Sequence, residues 1–429
     1  MLTLRRIPYY GALALLVYMP FHIFLVQSLS LVTGGLSAWK AAKDVLTTII
    51  LAVTVLLVWQ QHKTTRTFNW FFGLAFAYGL IHLLVWAINP HIYRDGALLG
   101  TIYNNRLLWY LLIGMGAALL WPKQLNERRI IRLVLMVSTM VCGLGILQYF
   151  LPKDILTHVG YSIARGVKPA FFIDDKRNLP RIMSTLRDPN SLGAYLIVPI
   201  TILAYTWLRG SKRRLLIAGL LGLHGLALFL TFSRSAWLGT VVSLGVLGAY
   251  QFRTGLKKWM EKYWPLALGI VLLVGSLTLL VRQQYVVQNV LVHSDKSTKL
   301  ADSNALHLQH VKEGLRGILH KSQGHGPGTA GLVSIQNPAG GFLTENYYVQ
   351  IGYEVGVLGL LVFLAAHALA YKRLLTRRTQ LAAVLLASFW GYVLVNMLLH
   401  SWSNEAVAAQ YWLMLGITLG LVVPDKKRA

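Results

Sequence analysis

MLTLRRIPYYGALALLVYMPFHIFLVQ, residues 1–27, decides which solvent this chain folds in. Arg5 and Arg6 lead into an apolar run too long for a secretory signal, and no small-residue cleavage site follows. The segment is therefore expected to stay as a first membrane helix. Further apolar blocks of about 20 residues recur along the chain, the length at which a helix crosses a bilayer core. Of the 429 residues, 55% are hydrophobic and 13% charged, with a mean hydropathy of +0.53. A soluble protein carries about twice that charged fraction. The blocks are continuous rather than alternating, which excludes a membrane β-barrel pattern. The expectation is an all-α polytopic membrane protein.

Twelve segments qualify as spans, at roughly 8–31, 39–59, 68–88, 102–121, 130–151, 191–208, 214–232, 235–251, 264–281, 346–370, 380–400 and 404–423. Pro122, Pro152 and Pro424 stand at or just past three of the ends. Trp39, Trp59, Trp86, Trp109, Trp121 and Trp264 lie near ends, as in an interfacial aromatic belt. The single cysteine, Cys142, falls inside a block and forms no intramolecular disulfide.

Basic residues alternate with the spans. Arg5–Arg6, Lys63 and Arg66, Arg128–Arg129 and Arg132, Arg209 and Lys212 to Arg214, Lys257–Lys258, Lys372–Arg373, Arg377–Arg378 and Lys426 to Arg428 fall on one side. By the positive-inside rule that side is the cytoplasm, and both termini lie there. Much of the net charge of +26 is therefore orientation, and nucleic acid is not implied. The other side holds two long loops, about 152–190 and 282–345, in a single membrane domain spanning 1–429. The first loop carries Lys153, Arg165, Lys168, Lys176, Arg177, Arg181 and Arg187 against Asp154, Asp174, Asp175 and Asp188. A positive surface beside the bilayer suits an anionic, membrane-held ligand as well as lipid headgroups. In the second loop, residues 303–321 read as an amphipathic helix with Leu308, Val311, Leu315, Ile318 and Leu319 on its apolar stripe.

Four elements converge on that outer face. RIMSTLRDPNSLGAY, residues 181–195, brings Arg181 and Arg187, with Asn190 or Ser191 placed to cap the following helix. TFSRSAWLG, residues 231–239, is a very short connection that holds Ser233 and Arg234 at the membrane face, where a charge is costly and marks a candidate site. A glycine-rich turn at 324–331 carries His325, a candidate catalytic or solvated histidine. TENYYVQIGYEVGVLGL, residues 344–360, sets Glu345 and Asn346 at the mouth of a helix, with Tyr347 and Tyr348 able to stack on sugars. Glu345 has a structural use as a helix cap and a chemical one as a base. Arginine forks match phosphate oxygens, and a nearby carboxylate can take a proton from an attacking hydroxyl. No metal-ligand spacing is present, so no metal or other cofactor is expected.

At these residues the chain resembles the O-antigen ligase and polymerase superfamily of membrane glycan transferases. The ligase motif reads histidine, then Asn/Ser/Gln, nine residues, glycine, two residues, then Gly/Thr/Tyr. Glu345, Asn346, Gly356 and Gly359 keep that spacing, with glutamate in place of histidine. The 181–195 stretch, the Ser233–Arg234 pair and the helix leading into residues 324–328 look like further family segments. The resemblance implies about twelve spans in a bacterial cytoplasmic membrane and an extracytoplasmic site. It implies metal-independent, inverting transfer of a glycan from an undecaprenyl-pyrophosphate-linked donor to an acceptor hydroxyl on a glycan or lipid-glycan. It also implies that Arg234 with Arg181 or Arg187 holds the pyrophosphate, that Glu345 acts as the base, and that Asn346 orients the acceptor. Members with an acid at the histidine position look more like polymerases or other lipid-linked glycan transferases. A lipid or anion transporter or flippase is the competing expectation, and a non-catalytic scaffold or sensor the third. Asp44, Glu354 and Glu405 are the other acids a transporter would draw on, and they read as isolated or near helix ends.

Overall fold

The protein was analysed as a computed structural model, which describes residues 2–173, 179–252, 303–335, 337–338 and 341–421. The expected span at 264–281 lies outside the described residues. So do Trp264, Pro424, Lys257–Lys258, Lys426 to Arg428, and Asp174, Asp175, Lys176 and Arg177 of the first loop.

Each of the other eleven expected segments coincides with a helix. The first is broken at Met19–Phe21, where Pro20 cannot donate, into α1 (Leu2–Tyr18) and α2 (His22–Thr33). Then come α3 (Leu36–Gln60), α4 (Arg66–Ala87), α5 (Arg94–Leu120), α6 (Glu127–Phe150), α7 (Pro189–Leu208), α8 (Arg214–Leu230) and α9 (Arg234–Gln251). After the undescribed stretch follow α10 (Ser303–His320), the short α11 (Gly331–Ser334), α12 (Tyr347–Leu375), α13 (Gln380–Leu398) and α14 (Glu405–Gly420). Seven described helical segments, with α1 and α2 taken together as one, are long and apolar enough to cross a membrane, and α8 is a shorter apolar one. The protein is thus an all-α membrane protein. The one described sheet is a two-residue antiparallel ribbon in the first long loop, β1 (Phe171–Phe172) with β2 (Pro180–Arg181).

α5 is the central post. Its residues Asn104 to Leu119 are nearly all buried, and it packs along α14. Gly114 and Gly416 let the two backbones touch, since a Cβ on either would run into a carbonyl of the other helix. α9 and α13 cross in the same way at Gly239 and Gly391.

Hydrogen bonds sort the helix ends into two groups. At one end, Trp121 donates to the Arg5 carbonyl and Arg129 to Tyr9, the Glu127 carboxylate caps Leu381, and Arg377 donates to Leu419 and Leu421. At the other end lie the 181–190 loop, the α8–α9 turn, the start of α12 and the α13–α14 turn.

α12 is itself broken. Val355 and Gly356 leave helical geometry, with Gly356 at φ 72° and ψ −178°, a conformation nearly confined to glycine. The glycine-rich turn fills the break. His325 N and Gly326 N donate to the carbonyls of Tyr353 and Glu354, each at 2.9 Å, and Val357 N donates to Ser322 O at 2.9 Å. A membrane helix that loses its own bonds must recover them from protein, and this turn supplies them.

Candidate active site

The 181–187 segment is pinned at several points. The Gln148 side chain accepts from Met183 N and Ser184 N, Ser184 Oγ donates to Val141 O, and Thr185 Oγ1 donates to Pro20 O. Ile182 N reaches Leu230 O at 3.1 Å. That docking brings Arg181 onto the α8–α9 turn. Its Nε donates to Thr231 O at 2.8 Å, and its Nη2 to Asn190 Oδ1 at 2.9 Å. Three residues past Thr231, Arg234 opens α9 behind Ser233, which is buried at the N-cap position. Burial is the largest influence on Arg181 and Arg234 adds repulsion. Despite Asp188, they push its pKa down to about 10. Two cations are thus held within each other's field in a half-dry place.

Asp188 is already employed. Its carboxylate accepts from Ser191 N and Ser191 Oγ, both at 2.8 Å, so it caps α7 with Pro189 in the first turn. The cap expected at Asn190 or Ser191 sits earlier, at Asp188, which leaves the Asn190 side chain to hold Arg181.

Arg187 stands apart from that pair. It is half-buried, and the charges grouped with it around Lys40 are Arg165 and Lys43. Lys40 Nζ donates to Arg165 O, and Arg165 in turn grips Gln27 and Ser30 of α2. The two arginines of the RIMSTLR stretch therefore serve different neighbourhoods, because five residues of tightly pinned backbone lie between them.

Glu345 does not cap α12. Asn346 does, accepting from Val349 N at 3.0 Å while its Nδ2 donates to Met397 O at 3.0 Å. Glu345 is left at φ 54° with its carboxylate turned to α10, where Oε2 lies 3.4 Å from His307 Nδ1. Beside it, Thr344 Oγ1 is 3.2 Å from His400 Nε2. Burial pushes the His400 pKa down to about 3, with His307 adding to the shift. His400 is therefore a buried, neutral support for Thr344.

Glu345 and Arg234 belong to the same end of the bundle. Gly239 of α9 touches Gly391 and Val395 of α13, and Met397, half a turn further on, receives Asn346. Arg234 is five residues before Gly239, roughly 7.5 Å along its helix in the same direction. Of the four described non-glycine residues at positive φ, three fall in these segments: Ser184, Phe232 and Glu345. Such strain persists only where surroundings over-determine it, and it concentrates at functional sites.

Two expected site residues are packed elsewhere. His325 stacks on Tyr353 with ring centres 3.9 Å apart and helps seat the glycine-rich turn. Tyr348 points along α12 toward Phe363 and His367. The amphipathic helix also differs from its expected stripe. Gly314, Gly317 and Ile318 of α10 meet Thr344, Val349, Gly352 and Tyr353, whereas Leu308, Leu315 and Leu319 are exposed. The glycines allow close approach, so the small residues, not the leucines, define the docking face.

The acids that read as isolated are not. Glu405 lies 3.8 Å from Arg106 and 3.9 Å from His22, and Asp44 pairs with Lys43 at 2.8 Å. Arg106 also donates to Ser403 O and stacks on Tyr103. Glu354 accepts from Asn104 Nδ2 at 2.7 Å and from Ala330 N at 3.1 Å, which ties α5 to the glycine-rich turn. Asn104, Asn105 and Arg106 in the middle of an apolar block were the signal for this network. Nothing in the spacing marked His307.

Residues 219–364 match the family model described as O-antigen ligase. That match supports the O-antigen ligase and polymerase superfamily. The matched stretch runs from α8 through Arg234, His307, the glycine-rich turn and Glu345 to the break in α12. No curated protein matches the chain. The O-antigen ligase domain and the apolar helices together support a membrane enzyme that handles glycans in the manner of a ligase or polymerase.

Proposed function

We propose that the protein transfers a glycan from an undecaprenyl-pyrophosphate-linked donor to an acceptor hydroxyl at the outer face of the bacterial cytoplasmic membrane. The observation that carries this reading is the pairing of Arg181 with Arg234 at the end of the bundle that also holds Glu345 and Asn346. Two guanidinium groups held close in a half-dry place repel one another, and a diphosphate between them relieves that repulsion. Arg234 and Arg181 hold the pyrophosphate, with Asn190 and Ser233 fixing the segments that carry them. Arg187 supplies a longer-range positive field through its position near Lys40 and Arg165. Glu345 provides the basicity that draws the proton from the acceptor hydroxyl, and Asn346 keeps the segment in register. The acceptor oxygen attacks the anomeric carbon opposite the leaving group. The sugar–phosphate bond breaks, and its electron pair departs with the lipid pyrophosphate, whose charge the arginines stabilise. No metal enters the scheme.

The test is transfer by purified protein from a lipid-linked repeat. Arg234→Ala is expected to abolish most of the product, and an unchanged rate overturns the phosphate assignment. A ladder of longer lipid-linked glycans identifies a polymerase. Reaction only after a second acceptor is added identifies a ligase. One observation favours the rival transport reading, the break in α12, because broken helices line many transport sites. Here the break is filled by the glycine-rich turn. Movement of intact donor across vesicles with no sugar–phosphate bond broken establishes transport instead.

A further inference from the structure

We propose that the acceptor proton is taken by His307, and that Glu345 exerts its basicity through the histidine ring. This inference rests on the glycan-transfer reading above and deepens it. The geometry is specific. Glu345 Oε2 lies 3.4 Å from His307 Nδ1, and His307 is two-fifths exposed while Glu345 is less than one-fifth exposed. A carboxylate facing Nδ1 favours the neutral tautomer with the proton on Nδ1, which leaves the lone pair on Nε2 at the opposite edge of the ring. No hydrogen bond occupies Nε2 among the described residues.

The pair is held by packing on both sides. His307 rides on α10, which docks against α12 through Gly314, Gly317 and Ile318. Glu345 is presented by a left-handed backbone between Thr344, which is completely buried and supported by His400, and Asn346, which caps α12 and bonds Met397. Neither partner reaches the other by a loose side chain from a free loop. The titratable groups that face His307 are Glu345 and His400, with His310 one turn along its own helix. The separation of 3.4 Å is that of a resting pair, which tightens once charge develops on the ring.

The step balances. As the acceptor oxygen bonds to the anomeric carbon, its proton passes to His307 Nε2. The bond from that carbon to the phosphate oxygen breaks, and the electron pair leaves with the lipid pyrophosphate. The imidazolium so formed is stabilised by the Glu345 carboxylate, the arrangement that orients and supports a histidine base in hydrolytic triads. In this scheme His307 is the catalytic group and Glu345 a positioning residue.

Membranes of the native host, with its own copy replaced by each variant, hold donor and acceptor alike. The readout is release of undecaprenyl pyrophosphate from added labelled lipid-linked glycan. His307→Gln is expected to lower the rate by about 10²–10⁴-fold, the usual contribution of a general base. His307→Ala is expected to recover at least part of it with added imidazole, which a structural lesion does not. Glu345→Gln is expected to lower the rate and Glu345→Asp to recover part of it, because a shorter carboxylate still faces the ring, which a merely structural lesion does not do. A wild-type rate in His307→Gln together with a slow Glu345→Gln overturns the dyad and leaves Glu345 as the direct base. Wild-type rates in both Glu345→Gln and Arg234→Ala overturn the transfer reading itself, and the dyad falls with it.

Discussion

Arg106 is buried and Arg181 partly so, and the charges around them are arranged differently. Around Arg106 the charges balance: Lys43 and Arg106 are matched by Asp44 and Glu405, with Tyr103 stacked beneath the guanidinium. Around Arg181 the burial is uncompensated: Asp188 attracts it, but burial and the repulsion of Arg234 prevail. Its near carboxylate, Asp188, is committed to the α7 cap, and its nearest charged influence of the same sign is Arg234. A balanced group far from water holds helices together. A half-buried cation at the end of the bundle costs stability that an anionic ligand returns. The same residue type thus serves the fold in one place and function in the other.

The largest expected effect tests the balanced half. Arg106→Met strands Glu405 and is expected to cost about 3–5 kcal/mol, the range for breaking a buried pair from one side. Thermal unfolding in detergent measures it. The pair Arg106→Met with Glu405→Gln is expected to cost less than the sum of the two, because no lone charge remains. Transfer per folded molecule stays at the wild-type level. A loss of turnover in folded protein moves Arg106 into the site and ends the contrast.

Arg234→Ala tests the other half. It is expected to lower the transfer rate by about 10²–10³-fold, the cost of losing one preorganised partner of the leaving group. Arg181→Ala is expected to behave alike, and the double variant to lose less than the product of the singles. Arg187→Ala sharpens the comparison from outside the pair. Acting only as a field, it is expected to change the rate by about tenfold or less, and less still at high salt. If Arg187→Ala matches Arg234→Ala, the clamp is misassigned.

The sequence carried the membrane fold because apolar length is a direct requirement of the bilayer, and eleven expected segments coincide with described helices. It carried Arg181, Arg234, Glu345 and Asn346 to one end because short connections and basic loops fix which helix ends share a side. It did not separate Arg187 from Arg181, since that depends on a segment pinned by Gln148, Val141 and Pro20, contacts of long sequence separation. Gly356 was visible as spacing, but not as the place where α12 opens to receive the glycine-rich turn. Gly356→Ala is accordingly expected to cost about 1–3 kcal/mol from backbone strain alone, before its clash with Ser322 and Gln323. His307 was invisible because an ordinary polar position on an amphipathic helix bears no mark of what it faces across 38 residues of chain.

His400 gives the smallest expected effect and tests the boundary between the two halves, for it supports Thr344 beside Glu345 yet is buried like the structural groups. Its folded pKa is near 3, below the ordinary histidine value of 6.5, chiefly because of burial. The unfolded chain therefore binds more protons between those values. Stability from this residue is complete above pH 6.5 and falls as pH drops toward 3. Between pH 6.5 and 5.5 the expected loss is about 1 kcal/mol. Comparing the pH dependence of thermal unfolding in the wild type and in His400→Asn isolates this contribution, because every other titrating group is common to both. A difference curve that is flat across that interval means that His400 takes up its proton as readily in the folded protein as in the unfolded chain. Thr344 would then rest on a cation at the acid end of that interval, and the neutral support beneath Glu345 would have to come from another group.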